Sequence, residues 1–125
     1  MVCLGVRMEI DLRQSSHIDW RQGDATAFPV DQNERFSIAT CHQGLQFFAD
    51  KAAAVREMRR VLHGGGRVGV GMWRAASENA VFAALQDIAE RHLGDVPDQR
   101  FPFGDLDAGE ELFRSAGFRD VRGEV

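Results

Sequence analysis

Three glycines, Gly64, Gly66 and Gly69, fall in the spacing G-x-G-x-x-G. That pattern cradles a pyrophosphate when a strand precedes it and a helix N-terminus follows. Here the order is reversed: a helical stripe leads into the glycines and an apolar strand leaves them. A helix C-terminus carries the negative end of the dipole and repels phosphate, so the glycines read as a structural helix-to-strand turn. Cys41 beside His42 places a thiol next to an imidazole. Successive residues on a strand point to opposite faces and no third group completes the set, so a thiol nucleophile is not expected. His17, His42, His63 and His92 lack the spacing of metal ligands, and His63 reads as a helix-end residue favoured by the dipole. Asp24, in Q-G-D-A, either offers its carboxylate to a ligand amine or hydroxyl or bonds its own turn. Phe47 and Phe48 stack on a ligand ring or pack in the core, and Trp73 lines a pocket or caps the core.

The elements that would position these residues follow from periodicity. Val2–Val6 reads as a short strand, and Met8–Ser16 as either a strand or a truncated helix. Ile18–Gln22 alternates as a half-buried strand ending at Gly23-Asp24, and a polar turn over Ala25–Arg35 leads to a compact strand at Phe36–Cys41. The clearest helix spans Asp50–Leu62. Asp50 caps it, and Ala54, Val55, Met58, Val61 and Leu62 form its buried stripe. Arg67–Trp73 is the next strand. Ser77–Leu93 is a second helix, with Val81, Leu85, Ile88 and His92 on one face and Gly94 as its stop. A proline-bearing loop, Asp95–Gly104, precedes a short helix at Asp107–Ala116, and Phe118–Val125 alternates as a last strand. Strands alternating with helices predict an α/β chain with a mostly parallel sheet, in which ligands sit beyond the C-terminal strand ends. That edge collects Gly23-Asp24, Cys41-His42 and Trp73-Arg74, and leaves the triple glycine on the opposite one.

Bulk properties narrow the function. The 125 residues suit one domain, and a net charge of −4 gives no reason to expect nucleic acid or an anionic membrane as partner. Apolar runs are too short to span a bilayer, and the N-terminus lacks the pattern of a secretory signal. Cys3 and Cys41 form no C-x-x-C pair, so free thiols and a cytoplasmic setting are expected.

Taken together, the segments I-D-W-R-Q-G-D-A (18–25), F-S-I-A-T-C-H-Q-G-L-Q-F-F-A-D (36–50), A-A-V-R-E-M-R-R-V-L-H-G-G-G-R-V (53–68) and A-G-F-R-D-V (116–121) resemble a class I S-adenosylmethionine-dependent methyltransferase. They are most similar to the branch that methylates small molecules, including quinone-ring precursors. The resemblance implies an incomplete Rossmann-like fold, a mostly parallel sheet flanked by helices, forming a single truncated domain over 1–125. The family's first strand and its glycine-rich cofactor loop would precede residue 1. By the same resemblance, Gly23, Asp24 and Ala25 contact the adenine of S-adenosylmethionine, and Asp11 is the candidate acid for its ribose. Thr40 and Cys41 lie along the methionine part, His42 is the candidate general base, and Gln46 and Phe47 face the substrate side. The implied reaction is methyl transfer to a small organic acceptor. The alternative is a non-catalytic module of methyltransferase descent that forms a homodimer through its unpaired strands.

Overall fold

The computed structural model describes residues 18–95 and 105–125. The readings of Val2–Val6 and Met8–Ser16, including Asp11, and most of the 95–104 loop lie outside them. Two strands, β1 (Phe36–His42) and β2 (Leu62–Gly71), pair in parallel across helix α1 (Lys51–Arg60). Helices α2 (Ala80–Leu93) and α3 (Leu106–Ser115) follow, and single 3-10 turns stand at Leu45–Phe47 and Ala76–Glu78. This is the expected α/β architecture with a parallel sheet and flanking helices, and among the described residues the sheet has two strands.

Helix α1 forms for the reasons its sequence gives. The Asp50 carboxylate accepts from the backbone N–H of Ala53 at 2.8 Å, which satisfies one of the free amides of the first turn. Arg59 and Arg60 sit in the last turn, where the dipole favours cations. The predicted stripe of Ala54, Val55, Met58, Val61 and Leu62 is buried throughout. The core closes around Leu45, Val55 and Phe113, and Cys41, Phe48, Val68, Val70, Met72, Phe118 and Val121 pack against it.

The triple glycine does not stand between helix and strand. Pairing begins at Phe36↔Leu62, breaks, and resumes at Ile38↔Arg67, so His63 to Gly66 bulge opposite Ser37 alone. Gly65 sits at the apex with φ +85°, a conformation that disfavours any side chain. The glycines therefore serve a bulge inside β2.

Two predicted strands form no ladder among the described residues. Residues 18–22 join no ladder with a described residue; Arg21 instead forms ion pairs with Asp19 and Glu34, both at 2.6 Å. Residues 118–125 are also irregular. Gly117 (φ 87°) and Asp120 (φ 53°) bend that segment away from extended geometry, and Gly123 donates its N–H to Glu110 Oε1 at 2.7 Å instead of to a neighbouring strand. Alternation alone does not supply a ladder partner.

Helix α2 starts later than expected, at Ala80, because Asn79 is its cap and accepts from Phe82 N–H at 3.3 Å. Gly94 ends it at φ 80°. Its apolar face stays open among the described residues: Val81, Leu85 and Ile88 are each more than half exposed. Helix α3 is capped by Asp105, and Phe113 of α3 meets Phe118 edge-on at 5.6 Å.

Candidate functional site

In a parallel sheet, backbone groups at the carboxyl ends of the strands run out of ladder partners, and the loops that leave there are free to meet a ligand. At this edge β1 ends in a sharp reversal. The N–H of Gln43 still bonds Gly71 O at 2.9 Å, but Gln43 itself is left-handed at φ 53°. The chain then drops into the 3-10 turn 45–47, anchored by fully buried Leu45.

The end of β1 carries three of the residues named from sequence. Thr40 and His42 are exposed and Cys41 half-buried, following the alternation of a strand. The Cys41 thiol points toward the core. Burial pushes its pKa up, against the opposing effect of backbone N–H groups of Leu45 and Gly44 that bond the sulfur. A thiol held protonated is a poor nucleophile. The His42 ring lies over Gly71: a Cβ at residue 71 would stand 2.8 Å from His42 Cδ2. Glycine at this strand end lets the ring rest on the backbone of β2.

Gln46 is 4% exposed. Its Nε2 donates to Gln43 Oε1 at 3.0 Å, and its own Oε1, also buried, has no partner. Phe47, next in the turn, is 54% exposed. Of the two residues assigned to the substrate side by resemblance, one is thus in the interior and one at the surface.

Asp24 stands on a separate support. Its Oδ1 accepts from both the N–H and the hydroxyl of Thr26 at 2.7 Å, and these bonds, side chain first, hold its carboxyl below the ordinary carboxylate range. Among the described residues none of its hydrogen bonds uses Oδ2. Asp24 is therefore an anion with one oxygen engaged in the turn, which is the turn role the sequence allows. Ala25 beside it is buried, and Gly23 is pressed by Pro29, whose Cδ would lie 2.3 Å from any Cβ placed there. The loop is tied to α1 by Glu57, which accepts from Phe28 N–H at 2.8 Å.

Two cavities flank these residues without uniting them. The larger, of about 1650 Å³, runs along β2 from Gly64 to Arg74 and is closed by α3 and the 117–125 segment. The smaller, about 480 Å³, lies among Phe28, Val30, Arg35, Glu57 and Arg60. Neither is lined by Asp24, Thr40, Cys41, His42, Gln46 or Phe47. The groove beside β2 was not foreseen from sequence, because reading 118–125 as a strand filled that space. The one available signal was Gly117, a helix stop that also turns the chain. Among the described residues no group of three His, Cys, Asp or Glu side chains is placed to hold a metal ion. No described helix is long and apolar enough to cross a membrane.

Comparison with known proteins places this arrangement. The fold is similar to that of a SAM-dependent methyltransferase from Thermotoga maritima, described as a possible histamine N-methyltransferase. The TM-score is 0.63 at 24% identity over 82% of this chain and 47% of that one. A protein from Bacillus halodurans, assigned to the methyltransferases without proof of activity, gives a TM-score of 0.57 at 26% identity, over 86% of this chain and 45% of its own. The chain thus spans about half the length of the solved structures it matches. No curated protein matches it. The methyltransferase domain family matches residues 6–70, a little over half of the 125 residues, and the chain belongs to that family.

Proposed function

We propose that this chain provides the carboxyl-edge part of an S-adenosylmethionine-dependent methyltransferase acting on a small organic acceptor. The observation that carries the reading is the sharply reversed β1 end, where exposed Thr40 and His42 lead into left-handed Gln43 at the edge where a parallel sheet meets its ligand. The residues present suit the cofactor as far as they go. Asp24 Oδ2 is an acceptor for the adenine amino group or a hydroxyl, with the backbone of Gly23 and Ala25 beside it. Thr40 and Cys41 would border the methionine end. Asp11 remains the candidate for the ribose.

When bound, S-adenosylmethionine supplies an electrophilic methyl on a sulfonium for in-line displacement. The chain's own contribution is positioning and exclusion of water, which account for much of the rate in such transfers. His42, exposed and braced on Gly71, is placed to accept a proton from an acceptor hydroxyl or amine. Phe47, exposed in the turn that follows β1, presents an apolar surface. A small nitrogen or oxygen nucleophile is the first acceptor class to test; the Thermotoga maritima relative is described for an amine.

Isothermal calorimetry with S-adenosylhomocysteine tests the reading: saturable binding that Asp24→Ala weakens supports it. Absence of binding at millimolar ligand ends it for this chain.

A second reading is favoured by one feature. Both outer edges of the β1–β2 pair lack a ladder partner among the described residues, and Ile38 on β1 is 65% exposed. Open edges invite pairing with another strand, so a homodimer joined through them, with no catalytic role, is the alternative. A monomer in light scattering at micromolar concentration would remove it.

A further inference from the structure

The bulge in β2 brings together two residues that neither reading uses. Ser37 on β1 and His63 on β2 lie 26 positions apart, yet Ser37 Oγ and His63 Nε2 are 3.0 Å apart. His63 Nδ1 lies 2.7 Å from the carbonyl oxygen of Gly64. A carbonyl oxygen only accepts, so the neutral ring carries its proton on Nδ1. Nε2 is then the lone-pair nitrogen, and the Ser37 hydroxyl donates to it. The tautomer is set by the partner of the other nitrogen, as in a nucleophile–base pair oriented by a third group. Both side chains are exposed. The space beside them is open among the described residues, since beyond the chain neighbours no described atom lies within 4 Å of a Cβ built at Gly64 or Gly65.

We propose that Ser37 is an acyl-accepting serine activated by His63, with an activated ester or thioester as donor. Ser37 Oγ adds to the acyl carbon as its proton passes to His63 Nε2. The adduct collapses by breaking the bond from the acyl carbon to the leaving oxygen or sulfur, and Nε2 returns the proton to that group. The products are acylated Ser37 and a free alcohol or thiol. The site lies toward the amino end of the sheet, at the opposite end of β1 from His42, and does not depend on methyl transfer.

The test uses the full chain and p-nitrophenyl acetate, with peptide mass spectrometry reading acetyl occupancy at each serine over time. Ser115 is an internal control, because its hydroxyl donates to Leu112 O at 2.9 Å and not to a base. General-base assistance contributes roughly 10²–10⁴-fold, so Ser37 should acetylate at least about 100-fold faster than Ser115. His63→Ala should bring Ser37 down to the Ser115 rate, and added imidazole should restore Ser37 alone, a rescue that a merely structural histidine would not give. Equal rates at the two serines, an unchanged rate in His63→Ala, or no rescue by imidazole would each overturn the proposal.

Discussion

Replacing Glu57 should loosen the loop that carries Asp24 without touching Asp24 itself. One carboxylate accepts three hydrogen bonds: Oε1 accepts from Phe28 N–H at 2.8 Å and from Arg60 Nη2 at 2.7 Å, and Oε2 accepts from Arg60 Nε at 2.8 Å. The side chain is 12% exposed and that of Arg60 36%. A bond from a backbone amide to a largely buried charged group contributes about 1.5–3 kcal/mol. The partly exposed i,i+3 ion pair contributes about 0.3–0.5 kcal/mol. Glu57→Ala should therefore cost about 2 kcal/mol, most of it from the orphaned Phe28 amide. With an m-value of about 1–3 kcal/mol/M, the urea midpoint should fall by roughly 1 M with m unchanged. Arg60→Gln, which leaves the Phe28 bond in place, should cost well under half as much, and Glu57→Gln, which keeps an acceptor, should fall between. Equal losses in Glu57→Ala and Arg60→Gln would show that the ion pair, and not the amide bond, holds the loop.

The same carboxylate gives a pH dependence of known sign. Hydrogen bonding by Arg60, with the smaller help of Phe28 N–H, lowers the Glu57 pKa from its ordinary 4.5 against the cost of burial. The folded state thus binds its proton less readily than the unfolded state. The stabilisation is complete above about 4.5 and disappears as pH falls through the depressed folded value. The difference in midpoint between the parent chain and Glu57→Ala should be constant near neutrality and shrink only in acid.

Three further outcomes follow from individual geometries. Gln46→Met should raise stability by about 1 kcal/mol in urea titrations, because it removes a buried carbonyl oxygen with no partner; a loss of stability would mean that the amide pair with Gln43 is worth more than the orphan costs. Gly65→Val should destabilise by about 1–3 kcal/mol through its positive φ, whereas Gly64→Ala, with open space and no positive φ, should stay within about 0.5 kcal/mol. Equal effects of the two in thermal melts would remove the conformational argument. Asp50→Ala should cost about 1 kcal/mol by exposing the first turn of α1, read as a lowered melting temperature.

What could be read from sequence was whatever a single element decides for itself. Helix α1 was legible because cap, stripe and terminal arginines all lie within thirteen consecutive residues and agree. That Cys41 and His42 face opposite sides was legible from strand alternation; which of them faces the core was not. Strand identity at 18–22 and 118–125 was not, because a strand is a relation between two segments. The alternating residues were present, and among the described residues the ladder partner was not. The bulge escaped notice for a related reason: nothing in H-G-G-G shows that pairing has begun at Leu62, one residue before it. The burial of Gln46 depends on how the turn after β1 folds back on the core, a tertiary outcome with no local marker.

The two halves of the candidate site are held by different physics, and this bears on how each would respond to ligand. The β1 end is fixed from beneath: Leu45 and Val55 are fully buried, Cys41 packs on their cluster, and Gln43 is locked to Gly71. Interiors are dense and adjust little, so Thr40 to Gln43 form a preorganised surface. The Asp24 loop instead rests on polar ties, Glu57 to Phe28 and Arg21 to Glu34, with Ala25 as its buried apolar contact among the residues named there. Polar ties near the surface are weaker than a packed core and yield first in local opening. Cofactor affinity would then reflect chiefly how completely the Asp24 loop is ordered, since any disordered fraction lowers apparent affinity in proportion. A change at Glu57 would act on binding through that fraction, while a change at Leu45 would act through the stability of the whole chain.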